Sequence, residues 1–256
     1  GAGVSAESGV PTYRDSGGLW QGRNPLELAS PEAFHRDPKG VWAWYNERRR
    51  QLRQVRPNPG HYALAEFEKR AAGFGLITQN VDRLHQLAGS RRVVELHGNI
   101  WEVRCVGCGR VEDKTGVELP EEPRCCQCGD WLRPNVVWFR EALPVSAWRQ
   151  AEDWTRRADV FLVVGTSAEV WPAAGLIQLA RRSGARIVEI NPNETAATPL
   201  ADLGIALVGD DGRTARQRTG LADRRIVVDR HGQAAMRDGA GIKRDIAVHD
   251  HRAGTR

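Results

Sequence analysis

Four of the five cysteines have the spacing of a metal site. They form two Cys-x2-Cys pairs with sixteen residues between them: Cys105, Cys108, Cys125 and Cys128. Four soft thiolates suit Zn²⁺ in a tetrahedral site, and two disulfides in a secreted protein are the alternative. A glycine after each pair, Gly109 and Gly129, favours the tight turn that points both sulfurs at one ion. Because four thiolates leave no position for a water ligand, the predicted single zinc ion is structural and the chemistry must come from other residues.

Two short polar motifs carry residues that could do that chemistry. Gln79-Asn80-Val81-Asp82 follows a predicted strand, where Asn and Asp side chains can hydrogen-bond ribose hydroxyls or an amide. His97-Gly98-Asn99 lies just before the first cysteine pair, and its histidine can act as a base near neutral pH. Both motifs also have a structural interpretation, the first as a capped turn and the second as an ordinary structural histidine. His85 is a competing candidate for the base.

A glycine-rich loop, Gly1 to Arg14, has the composition of a nucleotide-binding turn. Glycines at positions 1 and 3 let the backbone approach a pyrophosphate closely, and Ser5 and Ser8 can add hydroxyl donors. The alternative is a flexible, glycine-rich terminus. The loop therefore predicts a nucleotide site only when it is combined with other motifs.

The elements that must position these residues alternate along the chain. Short apolar runs predict three buried parallel strands, at Leu76–Thr78, Val160–Val164 and Ile187–Ile190. Helical spacing at Tyr62–Lys69 and Ala173–Ala180 completes the pattern of a doubly wound α/β sheet. The last two strands end in polar loops, Gly165-Thr166-Ser167 and Asn191-Pro192-Asn193, where open α/β sheets bind ligands.

In this order, the motifs together resemble those of the sirtuin family of NAD-dependent protein deacylases. The matching segments are Gly1 to Arg14, Gln79-Asn80-Val81-Asp82, His97-Gly98-Asn99, the four cysteines, Val136-Val137-Trp138-Phe139, Gly165-Thr166-Ser167 and Asn191-Pro192-Asn193. The resemblance covers residues 1 to about 205. It implies an α/β fold in which a Rossmann-like doubly wound parallel sheet carries a small inserted zinc-binding domain. Residues 1–100 and 134–208 would form the NAD-binding domain, with a helical insert at about 24–60, and residues 101–133 the zinc-binding domain.

The resemblance also implies roles for individual residues. On the cofactor loop these are Gly1, Ala2, Gly3, Tyr13 and Arg14. Around the nicotinamide and its ribose they are Gln79, Asn80 and Asp82. Near the phosphates and the adenosine they are Gly165, Thr166, Ser167, Asn191, Pro192 and Asn193. The backbone of an acyl-lysine protein substrate would pair, as an added strand, with Val136, Val137, Trp138 and Phe139.

The implied reaction transfers an acyl group from lysine to NAD. The acyl oxygen attacks the anomeric carbon of the ribose, nicotinamide leaves, and His97 acts as general base on a ribose hydroxyl. The products are free lysine, nicotinamide and O-acyl-ADP-ribose. Because the imidazole must be neutral, activity is expected to fall as the pH drops through the histidine pKa, which is ~6.5 when unperturbed.

Tyr45 and Arg48 predict which acyl group is removed. Three residues apart on a helix, the phenol and the guanidinium can converge on one carboxylate. The pair matches the tyrosine and arginine of the sirtuin subclass that removes succinyl, malonyl and glutaryl groups, and acetyl-lysine needs neither partner. The alternative is a solvated cationic face, because Arg48 belongs to a run of arginines that continues to Arg56.

Charge and hydropathy limit the partners. Beyond position 208, eleven basic and seven acidic residues account for +4 of the net charge of +5, so the body of the chain is nearly neutral and a nucleic-acid partner is not expected. The longest apolar runs, such as Val160–Val164, are far shorter than the roughly 20 residues that span a bilayer. No signal peptide is visible in these residues, and we expect a cytoplasmic protein. The sequence does not indicate an oligomeric state.

Three departures from the family pattern carry expectations of their own. The resemblance implies a central strand ahead of Gly1, and a chain that lacks this strand is expected to fold poorly. Arg140 stands where the family usually has glycine, so a positive φ there would be strained. Residues 209–256 predict an atypical, disordered tail, which we interpret as a shifted reading frame or a replaced terminus.

Two other functions share the same motifs. A protein mono-ADP-ribosyltransferase would use the same cofactor and cleft, and it would leave label from NAD on protein. A non-catalytic module would bind NAD or acyl-peptide without releasing nicotinamide.

Overall fold

The computed structural model describes residues 1–12, 24–71 and 73–205, together with the backbone of Arg224–Val228, Ala234–Asp238 and Lys243–Asp245. The chain forms two compact units, Gly1–Trp154 and Thr155–Arg256. None of the helices in the described part of the chain is long and apolar enough to cross a membrane.

Helices dominate the first unit up to residue 70. They are α1 (Gly3–Ala6), a 3₁₀ turn (Pro25–Glu27), α2 (Pro31–Arg36), α3 (Pro38–Gln54) and α4 (Pro59–Arg70). Four of them begin in the same way, with a polar side chain followed by proline. Before the 3₁₀ turn, the Asn24 side chain accepts a hydrogen bond from the Leu26 N–H at 3.0 Å. Ser30, Asp37 and Asn58 each accept a hydrogen bond from the backbone N–H three residues on, at 3.1, 2.9 and 3.2 Å. Proline fits the first helical position because its missing N–H would have had no helical partner.

Strands dominate the remainder of this unit. The elements are β1 (Leu76–Thr78), α5 (Leu84–Leu87), β2 (Val93–Glu95), β3 (Gly98–Cys105), β4 (Val111–Asp113), β5 (Leu132–Val136) and α6 (Val145–Arg156). Strands β1 and β2 pair in parallel, whereas β3 pairs antiparallel with both β4 and β5. Helix α3 packs its buried Trp42 into the same apolar cluster as Ile100, Val103 and Leu132. The Trp42 indole N–H donates to the Leu132 carbonyl at 2.7 Å, which ties α3 to the antiparallel sheet.

Parallel strands and a covering helix make up the described core of the second unit. They are β6 (Val160–Val164), α7 (Gly175–Arg182), β7 (Arg186–Ile190), a 3₁₀ turn (Thr198–Leu200) and β8 (Leu203–Ile205), and the strands pair in parallel in the order β6-β7-β8. Val163, Ile177 and Ile187 lie in its apolar core. The α/β alternation is therefore as predicted, and the positions of the three predicted strands are confirmed to within one residue. The predicted burial is wrong for most of β6, in which only Val163 is buried and Val160 is 53% exposed.

Three short strands lie in the segment beyond residue 208. They are β9 (Arg224–Val228), β10 (Ala234–Asp238) and β11 (Lys243–Asp245), which pair antiparallel in the order β11-β10-β9. The composition of this segment predicts disorder and gives no sign of these strands. The rest of the segment lies outside the described residues.

Candidate functional site

The four cysteines of the two Cys-x2-Cys pairs meet at one end of β3. Their sulfur atoms all lie within 4.8 Å of one another, with Cys105 and Cys128 at 3.3 Å and Cys108 and Cys125 at 3.7 Å. Zn–S bonds of ≈ 2.3 Å in a tetrahedron place sulfurs roughly 3.8 Å apart, so the four thiols fit one zinc ion.

The glycines after the two cysteine pairs have the conformation that the sequence predicts. Gly109 and Gly129 have φ of 73° and 75°, and their N–H groups donate to the Cys105 and Cys125 carbonyls at 3.1 and 2.9 Å. The fifth cysteine, Cys126, is exposed, and its thiol lies 3.7 Å from a Glu112 carboxylate oxygen.

Arg49 ties helix α3 to the cysteine-bearing strands. Its guanidinium donates to the carbonyls of Ile100, Lys114 and Val117 at 2.6, 2.8 and 3.1 Å, and it lies 5.2 Å from the ring centroid of Trp101. Burial lowers the pKa of Arg49 to about 10. Interpreting the arginine run as a solvated face is therefore wrong for this residue.

A buried polar network joins the start of the chain to the motif after β1. The Ser5 hydroxyl donates to Asp82 Oδ2 at 2.7 Å, and the Asn80 amide donates to the Gly1 carbonyl at 3.0 Å and to Ser5 Oγ at 3.1 Å. His61, at the start of α4, lies 3.4 Å from Ser5 Oγ. The loop and the Gln79–Asp82 motif, which the sequence predicts to share a cofactor site, are thus bonded to each other.

His61 was not among the sequence candidates. The Asn58-Pro59 cap is the one sequence signal that could have found it, because His61 occupies the third helical position and forms a capping box with Asn58. Ala2 and Gly3 lie at the start of α1, whereas Tyr13 and Arg14 lie outside the described residues.

His97 has the geometry of a base. Its Nδ1 lies 3.1 Å from the Gln79 carbonyl oxygen, which can only accept, so Nδ1 carries the proton and Nε2 keeps its lone pair. Burial lowers the pKa of His97, and the hydrogen bond to Gln79 acts in the opposite direction. The next residue, Gly98, has φ of 74°, and a Cβ there would lie 2.1 Å from the Asn135 carbonyl oxygen. Only glycine fits beside this histidine.

The competing histidine, His85, packs against another histidine, whereas His97 is bonded to a backbone carbonyl. It is buried, and its ring centroid lies 4.8 Å from that of His61. Burial, together with the neighbouring His61, lowers the pKa of His85 to about 3. This environment fits a packed structural histidine.

The segment predicted to bind substrate backbone starts at the end of β5 and lies beside His97. The Val137 N–H donates to the His97 carbonyl at 2.9 Å, and the Phe139 N–H donates to the Ala29 carbonyl at 3.0 Å. The Trp138 N–H donates to Glu141 at 2.8 Å. Since these three N–H groups are engaged within the chain, an added peptide strand would have to use other backbone groups of Val136–Phe139.

Tyr45 and Arg48 lie buried on α3, with 4% and 9% of their surface exposed. The Tyr45 hydroxyl accepts a hydrogen bond from the Trp138 indole at 2.9 Å, and the Arg48 guanidinium lies 5.2 Å from the Trp44 ring centroid. The Arg133 guanidinium lies over the Trp138 ring, 3.4 Å from its centroid. The structure therefore joins the predicted acyl-recognition residue Tyr45 to the predicted substrate segment.

Arg140 directly follows that segment and has the positive φ that the sequence analysis expects to be strained for a residue other than glycine. Its φ is 70°, and its guanidinium lies 3.6 Å from a Glu32 carboxylate oxygen in an exposed ion pair.

In the second unit, the loops that follow β6 and β7 contact each other. The Asn191 amide donates to the Thr166 carbonyl at 2.9 Å, and the Ala196 N–H donates to the Ser167 carbonyl at 3.3 Å. Gly165 has φ of 56°, and its N–H donates to Ile190 at 3.0 Å.

A buried carboxylate shapes the second of these loops. Glu189 on β7 accepts hydrogen bonds from the hydroxyls of Thr195 and Thr198, the latter at 2.7 Å. Both threonines follow Asn191, Pro192 and Asn193, of which the last two are exposed. Sequence reasoning missed Glu189, because a glutamate in an apolar strand carries no distinct signal of burial.

Comparison with known proteins identifies the family. The Sir2 family pattern matches residues 1–172. The chain is 57% identical over 207 residues to "NAD-dependent protein deacylase 2" of Pyrobaculum aerophilum, covering 80% of this chain and 82% of that protein. It is 53% identical over 204 residues to the "NAD-dependent protein deacylase" of Aquifex aeolicus, covering 79% and 85%.

Solved structures agree with the sequence matches. The crystal structure of a Sir2 homolog–NAD complex is similar, with a TM-score of 0.74 and 48% identity, covering 78% of this chain and 79% of that one. A Sir2–p53 peptide–NAD⁺ complex is similar, with a TM-score of 0.72 and 36% identity, covering 80% and 85%. These neighbours are Rossmann-like α/β proteins, as the sequence predicts for this chain. The chain therefore belongs to the Sir2 family.

Proposed function

We propose that this protein is an NAD-dependent protein-lysine deacylase that prefers succinyl- and malonyl-lysine and also accepts acetyl-lysine. NAD, as co-substrate, supplies the ADP-ribosyl group to which the acyl chain is transferred. The names of the relatives support the deacylase activity, and the cysteine site supports a structural zinc ion within residues 101–133. The preference for acidic acyl groups is supported by Tyr45 and Arg48.

His97 is the proposed general base. With Nδ1–H held by the Gln79 carbonyl, Nε2 takes the proton from a ribose hydroxyl. Because burial lowers the pKa of His97, the imidazole stays neutral somewhat below pH ~6.5, and activity falls as the pH drops through that lowered pKa.

The cofactor residues fall into two groups. In the first unit, Asn80 and Asp82 are held by Ser5 and Gly1, which supports their assignment to the nicotinamide side. In the second unit, the bond between Asn191 and Thr166 supports a loop pair for the phosphates and adenosine. Parallel strands that end in polar loops are the usual nucleotide site of α/β sheets.

One observation carries the acyl preference. Tyr45 and Arg48 are both buried on α3, and Tyr45 is bonded to Trp138 of the proposed substrate segment. The guanidinium of Arg48 and the phenol of Tyr45, one helical turn apart on α3, can together bind the distal carboxylate of a succinyl or malonyl group. Burial strengthens such a bond, because less water competes for either partner.

The experiment compares acetyl- and succinyl-lysine peptides with NAD, following O-acyl-ADP-ribose by mass spectrometry. Arg48→Met is expected to lower kcat/KM for the succinyl peptide by roughly 30- to 160-fold, which corresponds to about 2–3 kcal/mol for a lost charge-assisted bond, and to change kcat/KM for the acetyl peptide little. Arg50→Met is the matched control, because Arg50 is an exposed residue of the same helix that pairs with Glu47. His97→Ala should abolish both activities.

Three results would contradict the proposal. Unchanged desuccinylation in Arg48→Met would contradict the role of Arg48 in the acyl preference. Full turnover in His97→Ala would contradict the role of His97 as the general base. Label transferred from NAD to protein without any O-acyl-ADP-ribose would favour the ADP-ribosyltransferase alternative.

A further inference from the structure

Arg83 has a backbone conformation that arginine rarely adopts. Its φ is 66° and its ψ 14°, in the left-handed region where Cβ is crowded. Arg83 directly follows Asp82 and precedes α5, so its conformation sets the direction in which the chain leaves Asp82. Something in the surrounding structure must hold it there.

The side chain of Arg83 supplies that restraint by reaching the hairpin of β3 and β4. One of its terminal nitrogens, Nη1, donates to Asp113 Oδ2 at 2.7 Å and to Thr115 Oγ1 at 2.9 Å. The other, Nη2, lies 3.4 Å from Glu102 Oε1. The guanidinium therefore contacts two carboxylates at once.

Those two carboxylates need a cation between them. Glu102 on β3 and Asp113 on β4 are direct cross-strand partners in the antiparallel register, and like charges in that position repel each other. The opposite carboxylate oxygen of Glu102 accepts from the Asn135 amide of β5 at 2.8 Å, which fixes Glu102 to the sheet. Arg83 thus neutralises a pair that the strand register forces together.

The same strand also holds Asp82. The Trp101 indole on β3 donates to the Asp82 carbonyl at 2.9 Å, next to the contact between Glu102 and Arg83. The Asp82 carboxylate accepts from Ser5 on one oxygen and from the Leu84 N–H, at 2.9 Å, on the other. Two consecutive residues of β3, Trp101 and Glu102, therefore hold Asp82, the last residue of the Gln79–Asp82 cofactor motif, and Arg83, which follows it.

We propose that Arg83 is a positioning residue, which fixes the orientation of Asp82 in the NAD site by clamping the cofactor motif onto the cysteine-bearing hairpin. The proposal rests on the assignment of Asp82 to that site under the proposed function. Cys105 ends β3 and Cys108 lies in the turn before β4, so the hairpin that carries both carboxylates is the one that the metal site closes. The structural metal module and the cofactor motif are then joined through one side chain.

The test replaces Arg83 with glycine, which tolerates a positive φ and so removes the guanidinium without adding backbone strain. We expect KM and Kd for NAD to rise about tenfold, with kcat changed less than KM, because Asp82 would no longer be held in the orientation that binds NAD. Arg83→Lys keeps one cationic contact and should recover most of that loss. Asp113→Asn should raise KM and Kd for NAD in the same direction but by less, because Arg83 keeps its contacts to Glu102 and Thr115, and the double variant should be no worse than Arg83→Gly alone.

Controls separate this role from general stability. Arg110→Ala removes an exposed arginine of the same hairpin, which pairs with Glu112 at 3.1 Å, and should leave the NAD parameters unchanged. Zinc content, measured on each purified variant, should stay at one ion per chain. If Arg83→Gly does not fold, Asp113→Asn serves as the test, because Asp113 is half exposed and a substitution there is expected to leave the fold intact.

Three outcomes would overturn the inference, and they can be distinguished. If Asp82→Asn weakens NAD binding while Arg83→Gly and Asp113→Asn do not, the clamp has no positioning role. If Asp82→Asn itself leaves NAD binding unchanged, the assignment of Asp82 to the cofactor site fails and the inference falls with it. Additive losses in the double variant would also contradict a shared clamp.

Discussion

Acid should destabilise the first unit through the buried histidine pair of His61 and His85. The pKa of His85 is lowered to about 3, because its ring is buried and because the His61 ring lies beside it. In the unfolded chain the same histidine titrates near ~6.5. Between these pKa values the unfolded state binds a proton that the folded state does not. The free energy of unfolding therefore falls as the pH drops through this window.

The size of the loss follows from the pKa difference of His85. At about pH 4.5, two units below the unfolded pKa, the unfolded histidine is almost fully protonated and the folded one is neutral. This difference in proton binding lowers the free energy of unfolding by about 3 kcal/mol, at ~1.36 kcal/mol for each pH unit below the unfolded pKa. The pKa of His61 is also lowered by burial, so His61 adds to the loss in the same direction. Below about pH 3 the contribution of His85 levels off, because the folded state then binds the proton too.

Urea unfolding of wild type and His85→Leu, at about pH 7 and about pH 4.5, measures this effect. The variant should lose about 3 kcal/mol less than wild type between the two pH values. His35→Leu, which replaces an exposed histidine on α2, should show the pH dependence of wild type. An equal loss of free energy of unfolding in His85→Leu and wild type between these pH values would refute this role of His85.

Two further predictions concern the backbone at Arg140 and the metal site. Arg140→Gly should raise the free energy of unfolding by about 0.5–1 kcal/mol in urea titrations, because glycine relieves the positive φ and the exposed pair with Glu32 contributes little; a lower value would contradict the strain. Cys108→Ser should abolish binding of one zinc ion per chain and lower the melting temperature, whereas Cys126→Ser should do neither, as metal analysis and thermal melts would show. Retention of stoichiometric zinc by Cys108→Ser would contradict the four-cysteine site.

Elements with a local signal could be predicted from the sequence. The strands Leu76–Thr78 and Val160–Val164 match the structure residue for residue, because short apolar runs that end in polar loops are typical of parallel strands, although only Val163 of the second strand is buried. The signal for the zinc site is also local, because each Cys-x2-Cys pair and the glycine that follows it specify a tight turn without help from distant residues. The family motifs also predict that the loop at the start of the chain and the Gln79–Asp82 motif lie together, and the hydrogen bonds of Ser5 to Asp82 and Asn80 join the two segments.

Residues whose environment is set by distant parts of the chain could not be predicted. Nothing in the run of arginines on α3 distinguishes Arg49, which is buried only because carbonyls at residues 100, 114 and 117 surround its guanidinium. His61 and Glu189 are similar cases, each buried by partners from other segments. Charge and helix propensity report a residue's own preference, whereas burial of a charge depends on the acceptors that tertiary packing supplies.

The arginine run of α3 shows how one helix can serve two purposes. Successive residues of an α-helix point about 100° apart, so Arg48, Arg49 and Arg50 face three directions. Arg48 is buried near Trp44 and one turn from Tyr45, Arg49 holds the carbonyls of the cysteine-bearing sheet, and Arg50 pairs with Glu47 in solvent. The proposed acyl contact and the anchor of the metal module are therefore adjacent in sequence but separate in space. Because Arg49 satisfies three backbone carbonyls and Arg48 satisfies none of those three, a substitution at position 48 is expected to leave the anchor at position 49 in place.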